Sequence, residues 1–346
     1  MSTGIEIVDP RTDGRWDEAI KSRGNASVFH TSAWAKVLCD TWSYTPYYFL
    51  ATEDSYLKAL FPVVEVDSWL TGCRGISLPF TDECNGIAED PDDFQSVLDE
   101  IIQCGKKAGW EYLELRGGRS LPADATASLC YYGHTIDLRG GEDALFARCK
   151  GNVRTAVRSA LNQGVGIEVS DSLDALRVYY ALHSETRREH GLPPQPFGFF
   201  RSIQEHLFAR NMGFVVLASL HGQIVAGAVF LRWGKRAVYK YAAAAKKAQA
   251  LRGSNIVLWE AMRWLAREGC EELSMGKTSI EHEGLRRFKL GWGAEEYAIP
   301  YYKYDLRKDS YVRDRDQIQG WYNRIFRMMP APLLRATGSA LYRHIA

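Results

Sequence analysis

LATEDSYLKAL (Leu50–Leu60) aligns without gaps on LASLHGQIVAG (Leu217–Gly227), and the reading of this repeat decides the fold. Each copy begins Leu-Ala-Thr/Ser, passes through polar turn residues (Asp54-Ser55 in one, His221-Gly222 in the other) and returns along an apolar run, the pattern of a β-hairpin. The likeness recurs downstream, where GWEYLELRGG (Gly109–Gly118) matches GCEELSMGKT (Gly269–Thr278): a glycine, a bulky residue or cysteine, then a short strand. A helix precedes each. In the first, Phe94, Val97, Leu98, Ile101 and Ile102 keep the spacing of one helical face. In the second, over Ser254–Arg267, Ile256, Val257, Leu258, Trp259, Met262 and Leu265 surround most of the barrel and predict deeper burial.

Each half therefore reads hairpin, helix, strand, and the fold class is α+β, a mixed sheet flanked by helices present in two tandem copies. No GxGxxG opens a helix after a first strand, which excludes a dinucleotide-binding domain. The expected division is 1–140 for the first domain, 141–306 for the second, opened by a basic helix from Glu142 to Gln163, and 307–346 for an amphipathic helical tail. A chain of 346 residues suits two such cores.

With 46% apolar and 25% charged residues the composition is that of a folded chain, and a formal net charge of +1 supplies no global field for DNA. The seven cysteines are scattered, odd in number and without a CxxC pair, which fits a reducing compartment. The opening MSTGIEIVDPRTDGRW has acids and no apolar core segment, and no apolar run is long enough to span a bilayer. The expectation is cytoplasmic residence, with contact at the inner face of the membrane left open. The eight histidines show neither HExxH nor paired ligand spacing, so no metal site is expected.

Four segments carry a resemblance: SAWAKVL (Ser32–Leu38), KGNVRTAVRSALNQGVGIEV (Lys150–Val169), YYALHSETRREHGLPPQP (Tyr179–Pro196), and RGSNIVLWEAMRWLAREGCEELSMGKTSIEHEGLRRFKLGWG (Arg252–Gly293), which ends in a Phe-Lys-x-x-Phe/Trp-Gly pattern. In this order and spacing the chain resembles the Fem-type peptidoglycan aminoacyltransferases, a double-domain branch of the GNAT acyltransferase superfamily. The resemblance implies an N-acyl- or aminoacyltransferase acting on an amine of a peptidoglycan or surface-polysaccharide precursor. It departs from well-known Fem enzymes in lacking a heptad stretch long enough for their coiled-coil arm. That arm is associated with transfer RNA, so its absence weakens aminoacyl-tRNA as donor and keeps acyl-CoA open. Two rival readings stand beside it: a coenzyme A-dependent N-acyltransferase on an amino sugar of an exported polysaccharide, and a non-catalytic carbohydrate- or nucleotide-binding protein.

Acyl transfer to an amine needs an aligned neutral nucleophile, a proton acceptor, and positive charge or N–H donors where the oxyanion forms. The resemblance places Lys289, followed by Leu-Gly-Trp-Gly and preceded by Phe288, at the site of transfer. It makes Lys36 and one of Arg187 and Arg188, between which the pattern does not choose, contacts to the phosphates of a nucleotide- or lipid-linked sugar. Arginine suits that task because its planar fork pairs two oxygens at once. Asp82 and Glu83 correspond to a first-domain cleft segment. Lys150, Arg154 and Arg158 recur every four residues, a helical stripe of cations suited to an anion, flanking the apolar face of Phe146, Cys149, Val153, Val157 and Ala160. Solvation of an amphipathic helix explains the same stripe.

Gln249, Arg252, Gly253 and Ser254 stand where GNAT enzymes cradle the coenzyme A pyrophosphate, at a helix N-terminus where N–H groups attract anions, with Ser254 as the cap. Only one glycine is present where the full motif has two small sites. Tyr239 and Tyr241 alternate along a strand, which predicts both hydroxyls on one side and Lys240 on the other. In the tail, Ile318, Trp321, Tyr322, Ile325, Phe326 and Met329 share a helical face up to Pro330, and Leu334, Leu341 and Ile345 extend its apolar side. From Gln317 to Ala346 there are four arginines and no acid, the composition of a helix lying on an anionic bilayer. Packing of that helix over the first domain is the alternative.

Overall fold

Both repeat copies are hairpins whose first and last residues face each other: Leu50 pairs with Leu60, and Leu217 with Gly227. In the second the turn residues His221 and Gly222 have φ of +50° and +75°, the left-handed pair that joins twisted strands through a tight turn. In the first, Asp54 takes φ +48°; Ser55 lies outside the described residues. The structure, a computed structural model, describes residues 4–21, 23–54, 56–117, 125–314 and 322–345. The Gly118, Gln317, Ile318 and Trp321 named above fall outside them.

The chain forms two compact units, one of Met1–Tyr132, Ala298–Asp316 and Tyr342–Ala346, the other of Gly133–Tyr297 and Gln317–Leu341. This division differs from cuts at 140 and 306. It falls inside two strands, β7 (Leu129–Asp137) and β13 (Glu295–Asp305), so each strand gives residues to both units.

In the first unit, β1 (Gly4–Val8) is antiparallel to β2 (Thr45–Glu53), followed in the sheet by β3 (Tyr56–Ser68) and β4 (Gly72–Ile76). Parallel to β4 runs β6 (Tyr112–Arg116), and residues 301–305 of β13 are antiparallel to β6. The short strands β5 (Ile87–Ala88) and β14 (Ser310–Val312) pair with β3 and β13. Helices α1 (Arg15–Lys21) and α2 (Ser32–Trp42) precede the meander, and α3 (Pro91–Ala108) precedes β6. Phe94, Val97, Leu98 and Ile101 of α3 pack on Phe49, Phe61, Val63 and Leu113, as the spacing predicts.

The second unit repeats the order. Strands β8 (Gly166–Ser170), β9 (Gly213–Leu220), β10 (Gln223–Trp233) and β11 (Arg236–Ala244) are antiparallel neighbours, and β12 (Glu272–Ser279) is parallel to β11. Helices α6 (Leu173–Glu189) and α7 (Phe197–His206) take the place of α1 and α2, and α8 (Gly253–Arg267) that of α3. Even the exit glycines correspond: Gly109 after α3 and Gly269 after α8 have φ of +77° and +81°. Ile256, Val257, Leu258, Trp259, Met262 and Leu265 of α8 are all buried, so the helix is enclosed on most sides.

Where one helix from Glu142 to Gln163 is expected there are two, α4 (Gly141–Arg148) and α5 (Gly151–Asn162), broken at Cys149 and Lys150. Cys149 and Lys150 are extended, and Gly151 starts the new helix. In the tail the first helix, α10 (Tyr322–Met328), stops before Pro330 as expected, and a separate helix, α11 (Ala331–Leu341), follows. Both contact α6 within the second unit. Among the described residues no helix is long and apolar enough to cross a membrane, and no group of three or more His, Cys, Asp or Glu side chains is placed to hold a metal ion.

Candidate active site

Lys289 lies on α9 (Glu283–Gly291), a helix whose start is capped by His282, its Nδ1 accepting from the N–H of Leu285 at 3.2 Å. Its side chain is buried, 3% exposed, and Nζ donates to the carbonyl oxygens of Gly276 at 2.8 Å and Lys277 at 3.1 Å. Successive carbonyls of a regular strand point opposite ways. Gly276, at φ +69°, breaks the alternation inside β12 and lets two consecutive carbonyls meet one ammonium. A cation withdrawn from water needs such acceptors, since its burial otherwise costs several kcal/mol.

The other end of α9 docks on the start of α5. Lys150 N–H donates to the Gly291 carbonyl at 2.8 Å. A Cβ at Gly291 would lie 3.0 Å from Val153 Cγ2, and one at Gly293, φ +76°, would lie 2.8 Å from the Arg148 carbonyl oxygen. The two glycines therefore permit close approach, and the Phe-Lys-Leu-Gly-Trp-Gly and Lys-Gly-Asn-Val-Arg segments become one structural feature. Phe288 packs on the core of the unit, 6.2 Å from the Trp292 ring. Of the cationic stripe, Lys150 is exposed, Arg154 reaches the Ala147 carbonyl at 3.4 Å, and Arg158 lies over the Phe146 ring at 5.2 Å.

One turn before Lys289, Arg286 grips Glu296 with Nε at 2.7 Å and its second nitrogen at 2.8 Å. That fork holds the Glu296 carboxyl below its usual range. His134 Nε2 is 3.1 Å from the same carboxylate, so it carries the proton and Nδ1 is left as the bare acceptor. His134 is fully buried, and its Nδ1 has no hydrogen-bond partner among the described residues. Burial, and then the nearby Lys289 charge, push its pKa down. This His134–Glu296–Arg286 chain escapes sequence reading, because its members come from distant strands and a helix and carry no motif.

The tyrosines of β11 correct the alternation argument. Val229 pairs with Tyr241 and Phe230 with Tyr239, so Lys240 is an extra residue, a bulge. Tyr239 and Tyr241 consequently face opposite sides of the sheet. Tyr239 stacks on Phe230 at 5.2 Å and packs on the α5 and α8 core, where burial pushes its phenol well up. Tyr241 meets Phe200 at 5.4 Å and Phe199 at 6.0 Å on the α7 side. Beneath it lies a second network missed by sequence reading: buried His183, with Nε2 3.0 Å from Gln195 Oε1 and Nδ1 3.3 Å from the Tyr179 hydroxyl.

At the start of α8 the cap is Arg252, at φ +56°, and not Ser254, which lies inside the first turn; no side chain caps this end. A Cβ on Gly253 would sit 2.9 Å from Ala226 Cβ and 3.2 Å from Val225 Cγ2, so the helix start lies directly against β10. Gln249 lies within the tight 3-10 turn before it (Lys246–Leu251), its carbonyl accepting from Arg252 N–H at 3.2 Å. Arg187 and Arg188 sit in the last turn of α6, both half-buried, with Arg187 Nε 3.4 Å from the Pro193 carbonyl.

Lys36 and Asp82 belong to the first unit. Lys36 is half-buried on α2, near enough to Asp9 to lower its pKa behind the main cause, the Arg11 side chain at 2.7 Å. The Asp82 carbonyl accepts from the Tyr301 hydroxyl at 2.7 Å. Its loop holds two left-handed non-glycine residues, Leu78 at φ +65° and Phe80 at φ +60°, above the buried Arg116 guanidinium. Such strained positions persist only where surrounding contacts fix them.

Residues 147–298 match the family model described as an acetyltransferase (GNAT) domain. Among solved structures the chain is similar to FemX, with a TM-score of 0.69 and 14% identity over 89% of this chain and 98% of that one. It is also similar to L-PGS from Bacillus licheniformis, with a TM-score of 0.56 and 12% identity over 98% and 99% of the two chains. A tandem GNAT protein from the clavulanic acid biosynthesis pathway gives a TM-score of 0.55 and 9% identity, over 88% of this chain and 99% of the other. No curated protein matches by sequence. At these identities the structural likeness is one of fold, and it agrees with the strand order repeated in the two units. Residues 147–298 thus form an acyltransferase domain of the GNAT type, set in a chain with the duplicated fold it shares with FemX.

Proposed function

We propose that the protein transfers an activated acyl or aminoacyl group to an amine of a cell-envelope precursor, with Lys289 at the point of transfer. The observation that carries this reading is the buried Lys289 ammonium, pinned to two consecutive carbonyls where α9 docks on α5. An ammonium fixed in a water-poor site needs no reorganisation when negative charge develops on the attacked carbonyl, which makes it an effective oxyanion partner. Phe288 beside it supplies an apolar wall. Gln249, Arg252, Gly253 and Ser254, at the first turn of α8, are the donor contacts. Arg187 or Arg188, Lys150, Arg154 and Arg158 are the cations for the phosphates of a nucleotide- or lipid-linked acceptor.

The match of residues 147–298 to an acetyltransferase model favours acyl-CoA over aminoacyl-tRNA as the donor. The neighbours support an envelope acceptor, since one is titled as part of a putative lysylphosphatidylglycerol synthetase from Agrobacterium fabrum, with a TM-score of 0.55. The arginine-rich tail supports a contact with an anionic membrane surface in this reading. Thermal shift with acetyl-CoA, a UDP-linked muropeptide precursor and aminoacyl-tRNA tests it, because a bound ligand stabilises by mass action. The expected result is stabilisation by acetyl-CoA and by the nucleotide-linked precursor; stabilisation by neither removes the proposal.

A further inference from the structure

In the first unit the turn between β3 and β4 carries Trp69 and Leu70 at its tip, 86% and 49% exposed. Turn tips are ordinarily polar, so two large apolar side chains there need a reason. The tip is also firmly held. Ser68 Oγ accepts from the N–H groups of Leu70 at 3.2 Å and Thr71 at 3.0 Å, and lies 2.9 Å from His344 Nδ1. The His344 carbonyl in turn accepts from buried Arg74 at 2.7 Å, and its ring stands edge-on to Trp69 at 5.5 Å. This fastening sets Trp69 beside the C-terminal Arg343 and Ile345, both exposed, Ile345 by 52%.

A second observation names the partner's charge. From Tyr322 to Ile345 there are arginines at 324, 327, 335 and 343 and no acid, and the same segment exposes Ile325, Met328 and Leu333. Tryptophan is favoured at the membrane–water boundary, and cations flanking exposed apolar side chains select anionic headgroups.

We propose that Trp69, Leu70 and Ile345 enter the interfacial layer of a bilayer bearing anionic headgroups, with the neighbouring Arg343 on its phosphates. This extends the membrane part of the function proposed above to a hairpin far from the tail in sequence, and rests on that reading only for its purpose. Flotation of the full chain with vesicles of phosphatidylcholine, alone or in equal parts with phosphatidylglycerol, tests it. The chain should float with the anionic vesicles only, and Trp69→Ser/Leu70→Ser should bind them about tenfold more weakly. Brominated acyl chains should quench the emission of the wild type more than that of Trp69→Ser.

Because Trp69 is so exposed, the variants should melt as the wild type does, and Leu70→Ser alone should give the same effect in smaller measure. Equal flotation of wild type and double variant overturns the proposal, as does failure of the wild type to float. A wild-type dimer dissolved by Trp69→Ser would overturn it too, since the tip would then be a protein interface. Stabilisation by acetyl-CoA, measured on the same samples, reports on the transfer reading independently.

Discussion

Lys289 Nζ donates at 2.8 Å to the carbonyl oxygen of Gly276, a strand residue held in the left-handed region. A glycine is the residue that reaches this conformation without steric penalty. The geometry of the buried ammonium is therefore written into β12 as much as into α9.

Lys289→Met should keep the fold and lose transfer. It leaves the Gly276 and Lys277 carbonyls without their donor, a cost of about 1–3 kcal/mol, and removes the oxyanion partner, worth about a hundredfold or more in turnover. Thermal melting alongside a transfer assay separates the two. Undiminished turnover would mean that this lysine serves packing alone.

Gly253→Ala tests the donor turn. Its Cβ would meet Ala226 Cβ at 2.9 Å, so α8 must move off β10, at about 1–3 kcal/mol. Stabilisation by acetyl-CoA should shrink more than stability itself. A donor bound elsewhere would leave the ligand-induced shift intact.

Acidification should weaken the fold through His183. Burial lowers its pKa to about 4, below the ordinary 6.5. The unfolded chain thus binds the proton first, and stability falls as pH drops from about 6.5 to about 4, by roughly 3 kcal/mol over that window. His134, also lowered, acts in the same direction. Denaturant midpoints across that range should show the loss, and His183→Gln should flatten it; an unchanged slope would count against the assignment.

Gly338→Ala should detach the tail. A Cβ there would come within 2.0 Å of the Pro194 carbonyl oxygen, a backbone atom with little room to yield. Limited proteolysis should then cut within α10 and α11 faster than in the wild type, while the rest of the second unit resists. Unchanged cleavage would show that the contact gives way more easily than its geometry implies.

The duplicated hairpins were legible because Leu50 to Leu60 and Leu217 to Gly227 preserve both spacing and turn, and spacing is what sets register. Burial around α8 followed from its apolar density. Tyr239 and Tyr241 were misread because one bulged residue inverts every facing beyond it, and no residue type announces a bulge at Lys240. The break at Cys149 and Lys150 had a signal in Gly151, outweighed by an apolar periodicity that runs on through the break. His134, Glu296 and Arg286 were invisible for another reason: a lone histidine in a strand looks the same whether or not a carboxylate awaits it.

Two strands shared between the units have a consequence for biosynthesis. The first unit includes Ala298–Asp316, so its sheet stays unfinished while the ribosome makes everything between. The edge of β6 that residues 301–305 will cover is exposed for that interval, an adhesive surface in a crowded cell. A nascent chain arrested before residue 298 should accordingly recruit chaperones, and one released after residue 316 should not.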